Sequence, residues 1–380
     1  MSKCSRCLLD ETVPELKIND KGWCQYCEIY DRLCINYPIG EKGQEKWAQI
    51  LAAIKASKSK YDCIVGISGG VDSTYTLLQA KKMGLNPLAV HCDTGWNTKI
   101  AVTNIKKACS ILKVELVTLV IDWEEFRDLQ RSFLRSSTPD ADIPADIAIL
   151  ATLFRVASKY KIKYILNGHS FRTEFMNPIG WTYYDGTYIK NIQKQFGEKK
   201  LKKFPNFTIS EYVKHVIIKR TKIIQFLNYV DYSKEHAKEI LVTELDWKDP
   251  GGHHHENSFT HFFQSYYLPT KFGIDKRKVK LSADVLSGRI SRHQGIDELK
   301  ITYPIDMQVV DYAIKKLQLS QDEFNRIMKE KPKSFLDYQT NANFISRVWW
   351  AIDFLYKIGI VQDLVYHKYK ILTKIMKKKK

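Results

Sequence analysis

Two short runs in this chain hold residue types whose spacing could do chemistry. Ser68-Gly69-Gly70-Val71-Asp72-Ser73 follows an apolar run (Cys63, Ile64, Val65, Ile67) and precedes helical apolar spacing through Tyr75, Leu77 and Leu78. A strand, a glycine-rich turn and a helix start make a cradle for an oxyanion. The first helical N–H groups lack intrahelical partners and carry the positive end of the dipole. Gly69 and Gly70 let the backbone approach a phosphate with no Cβ in the way, and Ser68 and Ser73 add hydroxyl donors. The run lacks a Walker-type lysine and the dinucleotide glycine spacing. The plain alternative is a capped helix start. The second run is Cys4 and Cys7 with Cys24 and Cys27, two C-x-x-C pairs with sixteen residues between them. It suits two knuckles presenting four thiolates to one tetrahedral Zn²⁺ with no open position, hence a structural site. Iron–sulfur ligation is the competing assignment.

These residues need elements to position them. A helical stretch over 43–58 leads to the strand before the glycine turn, and the helix after the turn ends near Gly84. Further strands are expected over 87–92, 114–121 and 164–167, with helices over 97–112, 123–135 and 145–160. Strands alternating with helices imply a doubly wound parallel sheet, whose ligands bind beyond the carboxyl ends of the strands. The second strand ends in His91-Cys92-Asp93-Thr94-Gly95, where His91 and Asp93 could face a nucleotide or its Mg²⁺. The fourth ends in Asn167-Gly168-His169-Ser170-Phe171-Arg172-Thr173-Glu174. There Gly168 permits close approach of a phosphate, and Arg172 and Glu174 are expected to project into the cleft. Between strands three and four, Asp140, Asp142 and Asp146 either hold Mg²⁺ or cap the next helix.

Past Glu174 the alternation is expected to stop. Residues 177–207 read as loop, and helices are expected over 210–229 and 233–243. The run from Asp249 to Arg277 then holds three adjacent histidines, Glu256, a bulky aromatic face and a basic close. Consecutive side chains on a helix point in different directions, so the three histidines do not form one ligand set. The remainder reads as helical with a basic tail. The expected units are 1–40, a metal ribbon; 41–175, the α/β domain; and 176–380, a mostly helical substrate or partner region.

With 380 residues, 44% of them hydrophobic, the chain can bury a sizeable core. No apolar run approaches a membrane span and the start lacks a signal-peptide core, so a cytoplasmic protein is expected. Eight cysteines then point to metal or redox use. A net charge of +18 favours phosphate-bearing partners or reflects only a lysine-rich composition; charge alone does not choose.

The string SGGVDS resembles the PP-loop of the ATP pyrophosphatase superfamily, which splits ATP to AMP and pyrophosphate. Across almost its whole length the chain is similar to the N-acetyl sugar amidotransferases of bacterial surface-polysaccharide (lipopolysaccharide, O-antigen) pathways, the WbpG type. The resemblance rests on the cysteine pairs, SGGVDS, HCDTGWN, the Asp140–Asp146 segment, NGHSFRTE, and GGHHHENSFTHFFQ with KFGIDKR. Two positions depart from that family, which carries Lys at the place of His253 and Gly at that of Phe175. The resemblance implies conversion of an N-acetyl group of a nucleotide-linked sugar to an acetamidino group, through an adenylated imidate. It implies ATP bound by Ser68, Gly69, Gly70, Val71, Asp72, Ser73, His91, Asp93 and Gly168, with Mg²⁺. Asp72, Arg172 and Lys271 are the implied catalytic groups, and Arg172, Glu174, His254, Glu256, Lys276 and Arg277 the substrate contacts. It also implies separate glutaminase and cyclase-like subunits that deliver ammonia. The rival is a PP-loop tRNA-thiolating enzyme. Sulfur transfer wants paired cysteines near the ATP site, whereas only Cys63, Cys92 and Cys109 fall in the α/β domain, with no C-x-x-C among them.

Overall fold

The computed structural model describes residues 3–57, 59–252, 255–302 and 305–378. Its sheet is built from Cys63–Gly66 (β1), Pro87–Asp93 (β2), Leu116–Val120 (β3), Tyr164–Asn167 (β4) and Lys222–Gln225 (β5). The order is β3-β2-β1-β4-β5, with every pairing parallel. The strand order reverses between β1 and β4, so the turn after β1 opens at the topological switch point. Side-chain alternation divides the core in two. Ile64, Leu88 and Ile165 face one layer; Cys63, Val65, Ala89 and Leu166 face the other.

Helices Gln25–Asn36 (α1) and Glu41–Lys55 (α2) precede the sheet. Val71–Lys82 (α3), Lys99–Ile111 (α4), Trp123–Arg135 (α5) and Ile143–Lys159 (α6) connect and cover the strands. The single turn Phe171–Glu174 (α7) follows β4. Side-chain caps start α4 at Thr98, which accepts from the Ala101 N–H, and α5 at Asp122, which accepts from the Glu125 N–H. The expected doubly wound parallel sheet is thus present, with element limits within a few residues of those read from the sequence.

Three expectations fail. The alternation does not stop at Glu174: β5 lies in a stretch expected to be helical and pairs along β4 from Tyr164 to Asn167. Its apolar run takes up strand form because the edge of β4 supplies a partner for its backbone groups. Residues 177–207, expected as loop, contain Gly186–Phe196 (α8), capped by Asp185. Nor does an aspartate cap α6: Asp142 precedes it without a side-chain cap hydrogen bond.

The rest of the chain is helical apart from β5 and connecting turns. It comprises Ile209–Tyr212 (α9), Lys234–Leu245 (α10), Ser258–Phe262 (α11), Leu268–Phe272 (α12), Arg277–Leu286 (α13), Arg292–Lys300 (α14) and Met307–Lys316 (α15). Gln321–Lys329 (α16), Ala342–Arg347 (α17), Trp349–Lys357 (α18) and Asp363–Lys378 (α19) complete it. Among the described residues, no helix is long and apolar enough to cross a membrane.

Candidate functional site

The turn after β1 is held open by its own hydrogen bonds. The Ser73 hydroxyl lies 3.1 Å from both the Ser68 N–H and the Ser68 hydroxyl, and the Gly70 N–H donates to Ser68 Oγ at 3.3 Å. Gly69 has φ +85°, and a Cβ there would stand 2.4 Å from the Ala101 carbonyl oxygen, so only glycine fits. Its carbonyl is pinned from outside by Trp247 Nε1 at 2.9 Å and Asn104 Nδ2 at 3.2 Å. Helix α3 has no side-chain cap. The N–H groups of Val71, Asp72 and Ser73 therefore form a first turn without a preceding helical carbonyl, the arrangement that receives an anion. Gly168 serves this turn by packing: a Cβ there would fall 2.8 Å from the Asp72 carbonyl group.

Beside the turn lies an ionic cluster that sequence reasoning found only in part. Asp72 accepts a hydrogen bond from the Tyr232 hydroxyl and lies 3.0 Å from Lys234 Nζ, which is 3.6 Å from Glu174. His169 Nε2 lies 3.6 Å from the other Glu174 oxygen. Burial, with the neighbouring Glu174 charge, pushes the Asp72 carboxyl up, against the pull of Lys234. Burial opposes the Lys234 charge, but the two carboxylates outweigh it and hold the ammonium protonated. Two carboxylates beside the glycine turn share the Lys234 ammonium and offer the hard oxygen ligands that Mg²⁺ takes. Lys234 and Tyr232 lie some 160 residues from Asp72, and no local spacing signals them.

The end of β2 braces the turn. His91 Nδ1 lies 2.9 Å from the Ile67 carbonyl oxygen, and Asn97 Nδ2 lies 3.1 Å from its Nε2. Burial pushes the His91 pKa down, so the ring is neutral: Nδ1–H donates to Ile67 and Nε2 accepts from Asn97. Asp93 Oδ1 accepts from the Gly95 N–H and from Asn97. Residues 256–258 run antiparallel to this turn. Thr98 N–H donates to the Glu256 carbonyl, Ser258 N–H donates to the Trp96 carbonyl, and Asn97 bridges Asn257. The Glu256 carboxylate is thereby brought over the glycine turn, 3.1 Å from where a Gly70 Cβ would be.

The other expected site residues are placed as follows. Asp72, Glu174 and Glu256 gather at the turn. Arg172 does not project into the cleft; its guanidinium donates to the carbonyls of Asn228 and Tyr37 and stacks on Phe171. Lys271 reaches the carbonyls of Ile327 and Glu330, and Arg277 binds Asp275 and the Ile301 carbonyl. These three cations tie segments of chain together, which local sequence cannot distinguish from a phosphate contact. Lys276 donates to Asn177, near Asp140, Asp142 and Asp146. His254 and His253 lie outside the described residues.

The four N-terminal cysteines converge as expected. Their sulfurs are buried and lie within 4.8 Å of one another, with Cys4–Cys27 at 3.7 Å and Cys7–Cys24 at 3.6 Å. A single tetrahedral ion with metal–sulfur bonds of about 2.3 Å sets sulfurs about 3.8 Å apart. The donor set fits one such ion. N–H groups of Arg6, Cys7 and Cys24 point at Cys4 Sγ, the kind of second shell that stabilises thiolates.

Residues 256–353 match the family model described as LPS biosynthesis protein WbpG-like, C-terminal domain. An uncharacterized protein of Methanocaldococcus jannaschii is 30% identical over 170 residues, covering 44% of this chain and 58% of its own. The glutamine-hydrolysing GMP synthase of Dictyostelium discoideum is 29% identical over 130 residues, covering 33% of this chain and 16% of its own. The chain thus spans less than two thirds of either relative. Similar solved structures include NMN synthetase from Francisella tularensis (14% identity, 75% of this chain, 94% of that one, TM-score 0.32). The U34-tRNA thiolase NcsA from Methanococcus maripaludis, with its 4Fe–4S cluster, is another (14% identity, 84% and 99%, TM-score 0.32).

Proposed function

We propose that this chain, which carries a WbpG-like C-terminal domain, is an ATP-dependent, AMP-forming amidotransferase. Its acceptor is an N-acetyl group of a nucleotide-linked sugar, of the UDP-diacetamido kind, and its product the acetamidino sugar. One observation carries the reading: the WbpG-like segment begins at the phosphate turn itself, with Glu256 against Gly70 and its backbone clamped to residues 96–98. That the segment distinguishing this chain from other PP-loop chains packs on the glycine turn supports assigning it to the acceptor.

The chemistry needs activation because an amide oxygen is a poor leaving group. The acetamido oxygen attacks the α-phosphorus of ATP; the oxygen–phosphorus bond forms as the bond to pyrophosphate breaks. Ammonia adds to the imidate carbon, AMP departs with the former amide oxygen, and proton loss leaves the amidine. Catalysis of the first step is alignment plus charge stabilisation. The N–H groups of Val71, Asp72 and Ser73 and the hydroxyls of Ser68 and Ser73 are assigned to the phosphates. Asp72 and Glu174 would hold Mg²⁺, which when bound neutralises phosphate charge. Lys234 orients that carboxylate pair. Zn²⁺ is the ion assigned to the four cysteines, in a structural role. Ammonia would come from separate glutaminase and cyclase-like subunits, so the isolated chain should use ammonium and not glutamine.

Sulfur transfer is disfavoured by the cysteines. Cys92, the strand-end candidate, is buried, its thiol pushed up to about 11 by that burial, with the Thr152 hydroxyl as partner. Cys63 and Cys109 are buried in the opposite layer. The test is pyrophosphate release with ammonium over a panel of UDP-diacetamido sugars and bulk tRNA. Stimulation by one of the sugars is expected; stimulation by tRNA alone would overturn the assignment.

A further inference from the structure

A second group of ionisable side chains lies on the same edge of the sheet as the glycine turn. Helix α6 runs into β4, so its N-terminus sits at the carboxyl edge of the sheet, on the same side as the glycine turn. Asp142 there accepts from Thr260 Oγ1 at 3.0 Å. Thr260, in α11, is four residues beyond Glu256, a span of at most about 14 Å. From the other side, Asn177, the partner of Lys276, is three residues past Glu174, a span of at most about 11 Å. One turn further along α6, Asp146 accepts from the Tyr184 hydroxyl at 3.0 Å. Lys368 of α19 places its ammonium 4.5 Å over the Tyr184 ring, which is fixed in turn by the Tyr369 hydroxyl on the Tyr184 carbonyl at 2.8 Å.

The group is partly open to solvent. Asp146 is exposed, and Tyr184, Lys276 and Lys368 keep part of their surface in contact with solvent. Yet burial pushes Lys276 down to about 8 and Lys368 to about 7, so protein surrounds both closely. Near Asp140, whose charge also reaches both lysines, the Tyr267 hydroxyl is fully buried without a hydrogen-bond partner. A buried hydroxyl with no partner is costly unless a bound group or water completes it.

We propose that this group lines the acceptor subsite. Asp142 and Asp146 accept hydrogen bonds from hydroxyl or amide N–H groups of the sugar, and Tyr184 forms a wall for the ring. Lys276 and Lys368 receive an anionic group of the acceptor, either a ring carboxylate or the carrier diphosphate. Carboxylates suit the many donors of a polyol, and two amines short of full charge gain most from an anion arriving between them. Lys368 lies outside the segment that matches the WbpG-like domain. The subsite deepens the amidotransferase reading and rests on it.

The test measures binding of ATP, UDP alone, and UDP-diacetamido hexoses with and without a ring carboxylate, to the full chain and to Asp146→Asn and Lys368→Gln. Each variant is expected to weaken the best sugar at least tenfold, with ATP affinity unchanged within twofold. If UDP alone also weakens with Lys368→Gln, the anion is the diphosphate; if only the carboxylate sugar does, it is the ring acid. Variants that bind every sugar as the parent does would overturn the subsite while leaving the amidotransferase reading intact. A parent chain that binds ATP and none of the sugars would instead sink that reading, and the subsite with it. Asp146 is solvent-exposed, so its variant remains informative should Lys368→Gln fail to fold.

Discussion

Phe175 occupies a backbone conformation that side-chain-bearing residues avoid, with φ 57° and ψ −152°. This region belongs almost wholly to glycine and costs other residues about 1–3 kcal/mol. The residue lies where the chain leaves Glu174 and turns towards Asn177, between the phosphate site and the proposed acceptor subsite. Its ring does not enter that subsite; it is buried, 6.0 Å from Tyr30 of the N-terminal module. Removing the ring should cost about 3–5 kcal/mol either way. Glycine alone also relieves the backbone. Phe175→Gly should therefore be more stable than Phe175→Ala by about 1–3 kcal/mol, the reverse of the usual order, as read from urea denaturation. Asp140 makes a second residue-scale case. Burial pushes its carboxyl up to about 7 from an ordinary value of 3.8, although the Tyr183 N–H and Tyr188 hydroxyl donate to it. A raised carboxyl stabilises the fold fully at low pH and loses that contribution as pH rises towards 7. Relative to the parent, Asp140→Asn should gain stability progressively from about pH 4 to 7, by a few kcal/mol at about 1.4 kcal/mol per pKa unit, then level off. Lys368, lowered to about 7, adds a slope only above that pH, so the windows separate. A flat difference across pH 4–7 would show that Asp140 is ionised throughout.

At the scale of elements, the cysteine module acts as a clasp. Arg292 of α14 donates to the carbonyls of Cys4 and Cys7, the Leu8 N–H donates to Ser282 of α13, and Lys278 pairs with Asp10 at 2.6 Å. Between these helices, Arg289 reaches the carbonyls of Arg172 and Tyr232, the latter holding Asp72. Stripping the metal with a chelator, or Cys24→Ser, should lower the melting temperature by many degrees. It should also raise amide exchange in α13 and α14, because thiolate-bound ions supply on the order of 10 kcal/mol to such modules. Exchange confined to residues 4–27 would show that the clasp does not reach the helices. What was legible follows the range of the physics. The glycine turn, the cysteine pairs and the first four strands are set by neighbours in sequence, and they lie where the spacing placed them. Lys234, Lys368 and Arg172 are each held by partners far along the chain, which local spacing does not signal. The phosphate-like environment of Arg172 is two backbone carbonyls, which no spacing announces. The fifth strand was hidden because an isolated apolar run becomes a strand only beside an available edge.

Across the whole molecule, the three stretches expected from the sequence share one hydrophobic cluster. Cys4 and Leu33, Phe126 and Phe154, and Phe262, Val310 and Leu372 all belong to it. The two ends of the chain are also joined: Asp363 accepts from Asn36 at 2.7 Å and from the Tyr37 hydroxyl at 2.9 Å, and Lys378 pairs with Glu15 at 3.0 Å. Exposed pairs such as the last contribute little. The apolar contribution of α19 is larger, with Leu372 fully buried and Tyr366 and Ile375 nearly so. At about 1.5–3 kcal/mol for each such side chain, removing α19 should cost about 5–9 kcal/mol, comparable to the 5–15 kcal/mol that separates a folded domain from its unfolded chain. A chain ending at residue 362 should therefore lose cooperative urea unfolding and near-ultraviolet dichroism throughout, including the signals of Trp96 and Trp247 near the phosphate turn. It should also lose ATP binding. A truncated chain that kept the parent's unfolding midpoint and ATP affinity would show instead that α19 is an appendix to an α/β domain that folds without it. The proposed acceptor subsite, which includes Lys368, would then depend on α19 without the fold doing so.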